Sequence, residues 1–574
     1  MASHQIEDRL AGSPDGGIDA SRRHLLKVVA GLGVGSVVFQ RAVVALAEEN
    51  SGVTTEMIRQ AEWIAGLELD EAQRESTAKA VQRSVLNFRE LRNVPLDNSV
   101  PPAISFHPLS WADMADGGNV GEVSLSEHSA PQRPQSDDVL AFLPVSELAP
   151  LVRTRQVSSV ELTRLYVDRL RRFDPVLKCV VNDTEELAMQ QAERADREIA
   201  AGRYRGPLHG IPWGAKDLIA YPGYPTTWGA APFRDQVIDT KATVAARLEQ
   251  AGAVLVAKLT LGALAQGDRW FGGQTKSPWN PKIGSSGSSA GPAAATAAGL
   301  VGFSLGSETN GSIVSPCRRC GVTGLRPTFG RVSRHGCMAL AWSMDKIGPI
   351  ARSVEDCALI LGAIHGSDGL DPTAVDRPFH WPATRDVRAL RVGYVEGNKP
   401  IDERPELQIL REAGVQLTPI ELPDRRLAGR VLMILGTEAA AAFDELTRQG
   451  ITEGLNSWPR TFRQGQFTPA VEYLRANRIR TLLMREMEEL FKHVDAYVGG
   501  GDLSLTNLTG HPTVVVPNGF RPVGEFHMPS ALTFTGKLYG ETELLALAHA
   551  YQQATDFHLK RPPMDKLLAE VANE

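Results

Sequence analysis

Residues 284–328 read GSSGSSAGPAAATAAGLVGFSLGSETNGSIVSPCRRCGVTGLRPT, and this stretch decides how the rest of the chain is arranged. Gly, Ser and Ala dominate it, Glu308 is its single charge before Arg318 and Arg319, and no large apolar side chain occurs before Leu300. A core helix needs Leu and Ile, and a flexible linker would not interrupt its Gly and Ser with AAATAA and then GLVGF. The pattern fits two glycine-permitted turns that lay backbone N–H groups bare, joined by a small-residue helix that packs closely. One serine stands on each turn, Ser288 and Ser312.

Outward from this stretch the chain alternates between helical and strand-like segments. Ser158 and Glu161 form a capping box ahead of a helix whose Leu162, Leu165, Tyr166 and Leu170 share a face. Residues 183–201 predict a second helix stopped by Gly202, and residues 243–251 a third stopped by Gly252. Residues 253–257, 391–395 and 514–516 read as buried strands. Units of this kind predict an α/β fold with a sheet covered by helices on both faces. A chain of 574 residues with 43% hydrophobic and 22% charged residues has ample material for one large core. Its net charge of −6 argues against a generalised nucleic-acid surface. Five cysteines are too few for a disulfide scaffold, and CRRC at 317–320 lacks the second pair that a zinc site needs. They read as small buried apolar side chains, with one bridge as the alternative.

Four segments follow from composition. In residues 1–47, SRRHLLK at 21–27 precedes a weakly apolar run at 28–39 and an ALA exit at 45–47, a pattern that resembles a twin-arginine export signal. The apolar run is too short to span a membrane, so an exported protein, periplasmic or secreted, without a stable membrane span is expected. Residues 48–96 have helical spacing over most of their length, with Ile58, Ala61, Ile64, Val81, Val85 and Phe88 among the recurring apolar positions. Residues 97–137 are rich in Pro, Ser and Gly and read as a linker. Residues 138–574 form the α/β domain.

The chemistry gathers around three motifs. GIPWGAK at 210–216 is an apolar segment whose small residues let the Lys216 ammonium run inward. It is followed, in order, by the serine pair of GSS at 287–289 and by NGSI at 310–313. With WFGG at 270–273, PWNP at 278–281, CGVTGLRPT at 320–328, KIGPI at 346–350 and NLTGHP at 507–512, this order resembles the amidase signature family of serine hydrolases. The resemblance implies an α/β fold with a large central mixed β-sheet covered by helices on both faces, and amide C–N hydrolysis in which Lys216, as a neutral amine, exchanges a proton with Ser288. Ser288, held by a cis peptide bond in the family, relays it from Ser312, whose hydroxyl forms the acyl-enzyme. It also implies an oxyanion hole at Thr309, Asn310 and Gly311, and a mechanism that needs no metal or cofactor. The chain departs from the family pattern Asp-x-Gly-Gly-Ser-Ile-Arg: Glu308 lengthens the acid, Asn310 replaces a glycine, and Val314 replaces the arginine.

Two other readings compete. GSSAG at 287–291 formally satisfies the G-x-S-x-G elbow of α/β-hydrolases, with Ser289 as nucleophile, but PWNPKIGS before it is no strand. That reading also needs a histidine base, and His209, His335, His365 and His511 are scattered. The family further includes the glutaminase subunit of a tRNA-dependent amidotransferase, which works with partner subunits in the cytoplasm. An export signal argues against that role, so the expected partners are a small-molecule amide and a second copy of the chain as a possible homodimer, with no nucleic acid. Specificity is expected from loops around the three catalytic residues and from residues 398–491, where Trp458, Phe462, Phe467 and Tyr473 line a pocket or pack a core.

Overall fold

The computed structural model describes residues 52–96, 104, 121–126, 131–396 and 400–571. Among them, eleven strands hydrogen-bond into one sheet. They are β1 (Val180–Asp183), β2 (Pro212–Lys216), β3 (Val254–Leu259), β4 (Phe303–Glu308), β5 (Thr323–Arg326), β6 (Lys346–Ala351), β7 (Arg391–Val395), β8 (Gln416–Ile420), β9 (Ala496–Val498), β10 (Thr513–Val523) and β11 (Phe526–Gly536). Their order across the sheet is β1-β3-β2-β4-β6-β5-β10-β11-β9-β7-β8. β2 runs parallel to both β3 and β4, and β7 parallel to both β8 and β9. The strands between these two parallel groups pair antiparallel, so the sheet is mixed as expected.

Successive strand residues enter two different cores. Along β3, Val254 and Val256 join one apolar cluster and Leu255 the other; along β10, Val515 is separated in the same way from Val514 and Val516. Side chains alternate across a pleated strand, so a strand apolar at every position must be covered on both faces. One cover comes from α3 (Ser159–Leu177), α4 (Glu185–Ala200), α5 (Ala290–Ala297) and α6 (Val314–Cys320), which contribute Leu170, Ala188, Ala293 and Val314. The other includes α7 (Val354–Ile364) and α10 (Glu541–Gln553), which contribute Ile360 and Leu547. The capping box expected at Ser158 and Glu161 is present and opens α3. Every residue of α5 is buried, which is what its Ala and Gly content permits.

The N-terminal stretch of helical spacing is helical and packs on the body of the fold. It forms α1 (Thr55–Ala61) and α2 (Glu71–Arg92), separated by a turn in which Gly66 takes a φ of 65°. Asp70 and Gln73 then restart the chain with a capping box. α2 packs against α8 (Trp458–Gln466) and α9 (Ala470–His493), with Gln464 donating to Ser84 Oγ at 2.7 Å and Arg92 to Glu472 at 2.8 Å. All five cysteines are free. Among the described residues no helix is long and apolar enough to cross a membrane.

Candidate active site

Lys216 is the last residue of β2, and its side chain is fully buried. Gly214, two residues earlier, has no room for a side chain: a Cβ there would come within 2.3 Å of Leu259. The Lys216 Nζ lies 2.8 Å from Ser288 Oγ, 3.1 Å from Ser289 Oγ, 2.8 Å from Ser307 Oγ and 3.3 Å from the Ser307 carbonyl. These partners are all neutral. Lys258, on the neighbouring strand, is equally buried but sits 2.7 Å from Asp217. The contrast matters because desolvation penalises the charged form and only an opposite charge at contact compensates fully. Burial therefore pulls the Lys216 pKa down to about 7, against the more distant charges of Asp345 and Glu308, which raise it. At neutral pH a large share of the Lys216 side chain is an uncharged amine with a free lone pair.

Two loops converge on this amine. The peptide between Gly287 and Ser288 is cis, as the family resemblance implies. Gly287 is packed so tightly that a Cβ would meet the Gly267 carbonyl at 1.9 Å. Ser289 donates its backbone N–H to the Ser312 carbonyl at 3.0 Å. Its hydroxyl accepts from the Ser307 N–H and donates to the Ser307 carbonyl, both at 3.1 Å. Ser289 thus meets Lys216 and the backbone of Ser307, and no histidine contacts it among the described residues. This leaves the α/β-hydrolase reading without its base.

Ser312 follows β4 on a turn in which Gly311 adopts a φ of 87°. Glu308, the last residue of β4, anchors that turn from beneath. Its Oε2 accepts the N–H groups of Ile313 at 2.8 Å and Val314 at 2.9 Å, the two residues after the serine. Its Oε1 accepts from Arg326 at 2.8 Å and Asn507 at 2.7 Å. Burial alone would raise the Glu308 pKa, but the Arg326 charge and the converging N–H donors outweigh it and hold the pKa at about 2. The carboxylate is a fixed anion. Thr309 donates its hydroxyl to Asp345 at 2.6 Å. The N–H groups of Thr309, Asn310 and Gly311 donate to no acceptor among the described residues. Val314, where the family pattern has arginine, is buried in the core cluster beneath α6.

Sequence reasoning missed two participants. Ser307 touches Lys216 as closely as Ser288 does, and Asp345 fixes the Thr309 side chain. The available signal for Ser307 was a hydroxyl in a strand that ends at the nucleophile loop. Asp345 stands just before KIGPI and carries no local mark.

A cavity of about 340 Å³ is bordered by Ser307 and Thr309, while Lys216, Ser288 and Ser312 do not line it. Its walls come mainly from residues 334–342 and 370–373, with Leu218, Ala265, Asp345 and Ile347, and none comes from residues 398–491. The aromatics of that region serve the core: Trp458 and Phe462 are buried and stacked with centroids 5.2 Å apart. Trp458 Nε1 also donates to the carbonyls of Ala263 at 3.1 Å and Leu264 at 3.0 Å.

Known proteins resemble this chain over most of its length. Residues 161–499 match the family described as Amidase. A glutamyl-tRNA(Gln) amidotransferase subunit from Roseiflexus sp. strain RS-1 is 34% identical over 490 residues, covering 74% of this chain and 99% of that protein. The peptide amidase structure from Stenotrophomonas maltophilia is 29% identical with a TM-score of 0.64, over 73% of this chain and 98% of that one. A bacterial aryl acylamidase of the amidase signature family superimposes with a TM-score of 0.64 at 22% identity, over 75% of this chain and 99% of that one, a likeness of fold.

These relatives overturn two expectations. The first, a set of partners without nucleic acid, fails against relatives named as one subunit of a transfer-RNA amidotransferase. The second, an exported periplasmic or secreted protein, fails against the same relatives, named for a reaction on a transfer RNA. Residues 1–47, which carry the twin-arginine pattern, lie outside the described residues. With its family match, its mixed sheet and its relatives taken together, the chain belongs to the amidase signature family, whose chemistry is hydrolysis of amide C–N bonds.

Proposed function

We propose that the chain hydrolyses a carboxamide and releases ammonia through an acyl-enzyme on Ser312. The observation that carries this reading is the fully buried Lys216 amine, 2.8 Å from Ser288 and without a carboxylate partner among the described residues, beside a loop tied to Ser312. Ser312 gives its hydroxyl proton to Ser288, and Ser288 gives its own to the Lys216 lone pair. The Ser312 oxygen bonds to the carbonyl carbon, and the negative charge moves to the carbonyl oxygen, facing the N–H groups of Thr309, Asn310 and Gly311. Each such donor is typically worth ~3 kcal/mol at the transition state. The C–N bond then breaks as Ser288 returns a proton to the leaving nitrogen and recovers one from the Lys216 ammonium. Water removes the acyl group by the same path.

For the finer role, the names of the curated relatives favour a glutaminase-type subunit of a transfer-RNA-dependent amidotransferase over a free-standing amidase. The free-standing reading has two observations on its side, the apolar cavity beside Thr309 and the likeness to a peptide amidase. Ammonia release from glutamine and from simple carboxamides, wild type against Ser312→Ala, tests the shared chemistry. Release that depends on Ser312 is the expected result. Release that survives in Ser312→Ala removes the proposal.

A further inference from the structure

The cavity beside the oxyanion loop has a composition that selects among substrates. Its apolar lining includes Leu218, Met338, Leu340, Ile347, Trp342 and Leu370. Trp342 and Leu370 are each 50% exposed. Large apolar side chains left half in water around a concavity are a mark of ligand sites rather than of packing. The volume, about 340 Å³, lies at the small end of the usual range for such sites, roughly 300–1,000 Å³.

The charged groups of the lining are already committed. Arg334 donates to Asp371 at 2.9 and 3.2 Å, to the Trp342 carbonyl at 2.6 Å and to Thr373 at 2.8 Å. It ties the Trp342 segment to the 370–373 segment and fixes the width of the cavity. Asp345 accepts from Thr309 at 2.6 Å, Leu340 at 2.7 Å and Ala341 at 3.0 Å. Burial keeps the Cys337 thiol neutral, which leaves His335, and a lone imidazole can meet one polar atom. A free α-amino acid brings an ammonium and a carboxylate, and each would lose water here without a charge partner.

We propose that this cavity holds an uncharged, apolar substituent of the substrate, so that carboxamides bearing an alkyl or aryl group are preferred over acetamide and over free glutamine. The inference rests on the free-standing reading of the Ser312 chemistry, which makes Thr309 part of the reacting centre, and tighter binding of glutamine would favour the glutaminase-type reading instead. Arg334 is a positioning residue here, and Trp342 supplies contact area. Each methylene moved from water into such a wall is worth about fourfold in affinity.

Calorimetric titration of Ser312→Ala with acetamide, hexanamide, phenylacetamide and glutamine tests the cavity without requiring turnover. Hexanamide and phenylacetamide are expected to bind at least tenfold more tightly than acetamide, and glutamine more weakly than either. Adding Trp342→Ala, at a half-exposed position, should remove most of that preference. Equal affinities, tighter binding of glutamine, or a preference that ignores Trp342→Ala would each overturn the inference. Parallel turnover by the wild type separates the two claims. Ser312-dependent ammonia release without chain-length preference defeats the cavity assignment alone. Graded binding with no turnover of any amide defeats the hydrolytic reading and with it the cavity's part in substrate choice, leaving only an apolar binding site.

Discussion

Ser289 donates its backbone N–H to the carbonyl of Ser312 at 3.0 Å, which fastens the loop carrying Ser288 to the loop carrying Ser312. The tie is made by main chain and survives loss of either side chain. Ser288→Ala should therefore leave the fold intact while lowering kcat by about 10²- to 10⁴-fold, the usual worth of a positioned proton carrier. Ser289→Ala loses only a hydroxyl that bridges Ser307 and Lys216, and should cost far less. Steady-state kinetics with one carboxamide on both variants checks the ranking; equal losses would place Ser289 in the relay.

The Lys216 amine sets the pH dependence. A base acts in its unprotonated form, so kcat/KM should rise with pH, reach half its plateau near a pH of about 7, and level off above it. Ser307 accepts a hydrogen bond from Nζ at 2.8 Å and so favours the charged form. Ser307→Ala should shift that acidic limb to lower pH and reduce the plateau roughly tenfold. A pH–rate profile of both proteins measures this, and a limb that stays in place would remove Ser307 from the site.

Glu308 is expected to hold the nucleophile turn rather than to react. Glu308→Gln leaves the Arg326 guanidinium buried without its charge partner, a change that typically costs ~3–5 kcal/mol. Thermal unfolding should show a large drop in Tm, and an unchanged Tm would mean that the ion pair is dispensable. The acid side follows from the depressed pKa. The folded pKa of about 2 lies below the ordinary value of 4.5, so the contribution is complete above 4.5 and is lost as pH falls towards 2.

Much of the centre was legible because its residue types are rare in company. A lysine at the end of GIPWGA, a serine pair and NGSI, in that order, point to Lys216, Ser288 and Ser312, and the structure brings Lys216 against the serine pair. The sheet's cover on both faces was legible from helices alternating with apolar strands. Ser307 was not legible, since spacing along a strand does not say which of several hydroxyls meets a lysine from the adjacent strand. Trp458 and Phe462 advertised a pocket or a core equally, and only their stacking within the helical layer decides for the core. The walls of the cavity beside Thr309 come instead from 334–342 and 370–373, segments separate in the sequence and joined by the Arg334–Asp371 pair. The expected export and the expected absence of nucleic acid among the partners came from residues 1–47 and from net charge, and the relatives contradict both.

The most direct test of the central claim is intact mass after treatment with a fluorophosphonate probe, with peptide mapping, on wild type and Ser312→Ala. One adduct on Ser312 in the wild type and none in the variant is the predicted result. An adduct on Ser289, or one that persists in Ser312→Ala, would contradict the assignment of the nucleophile.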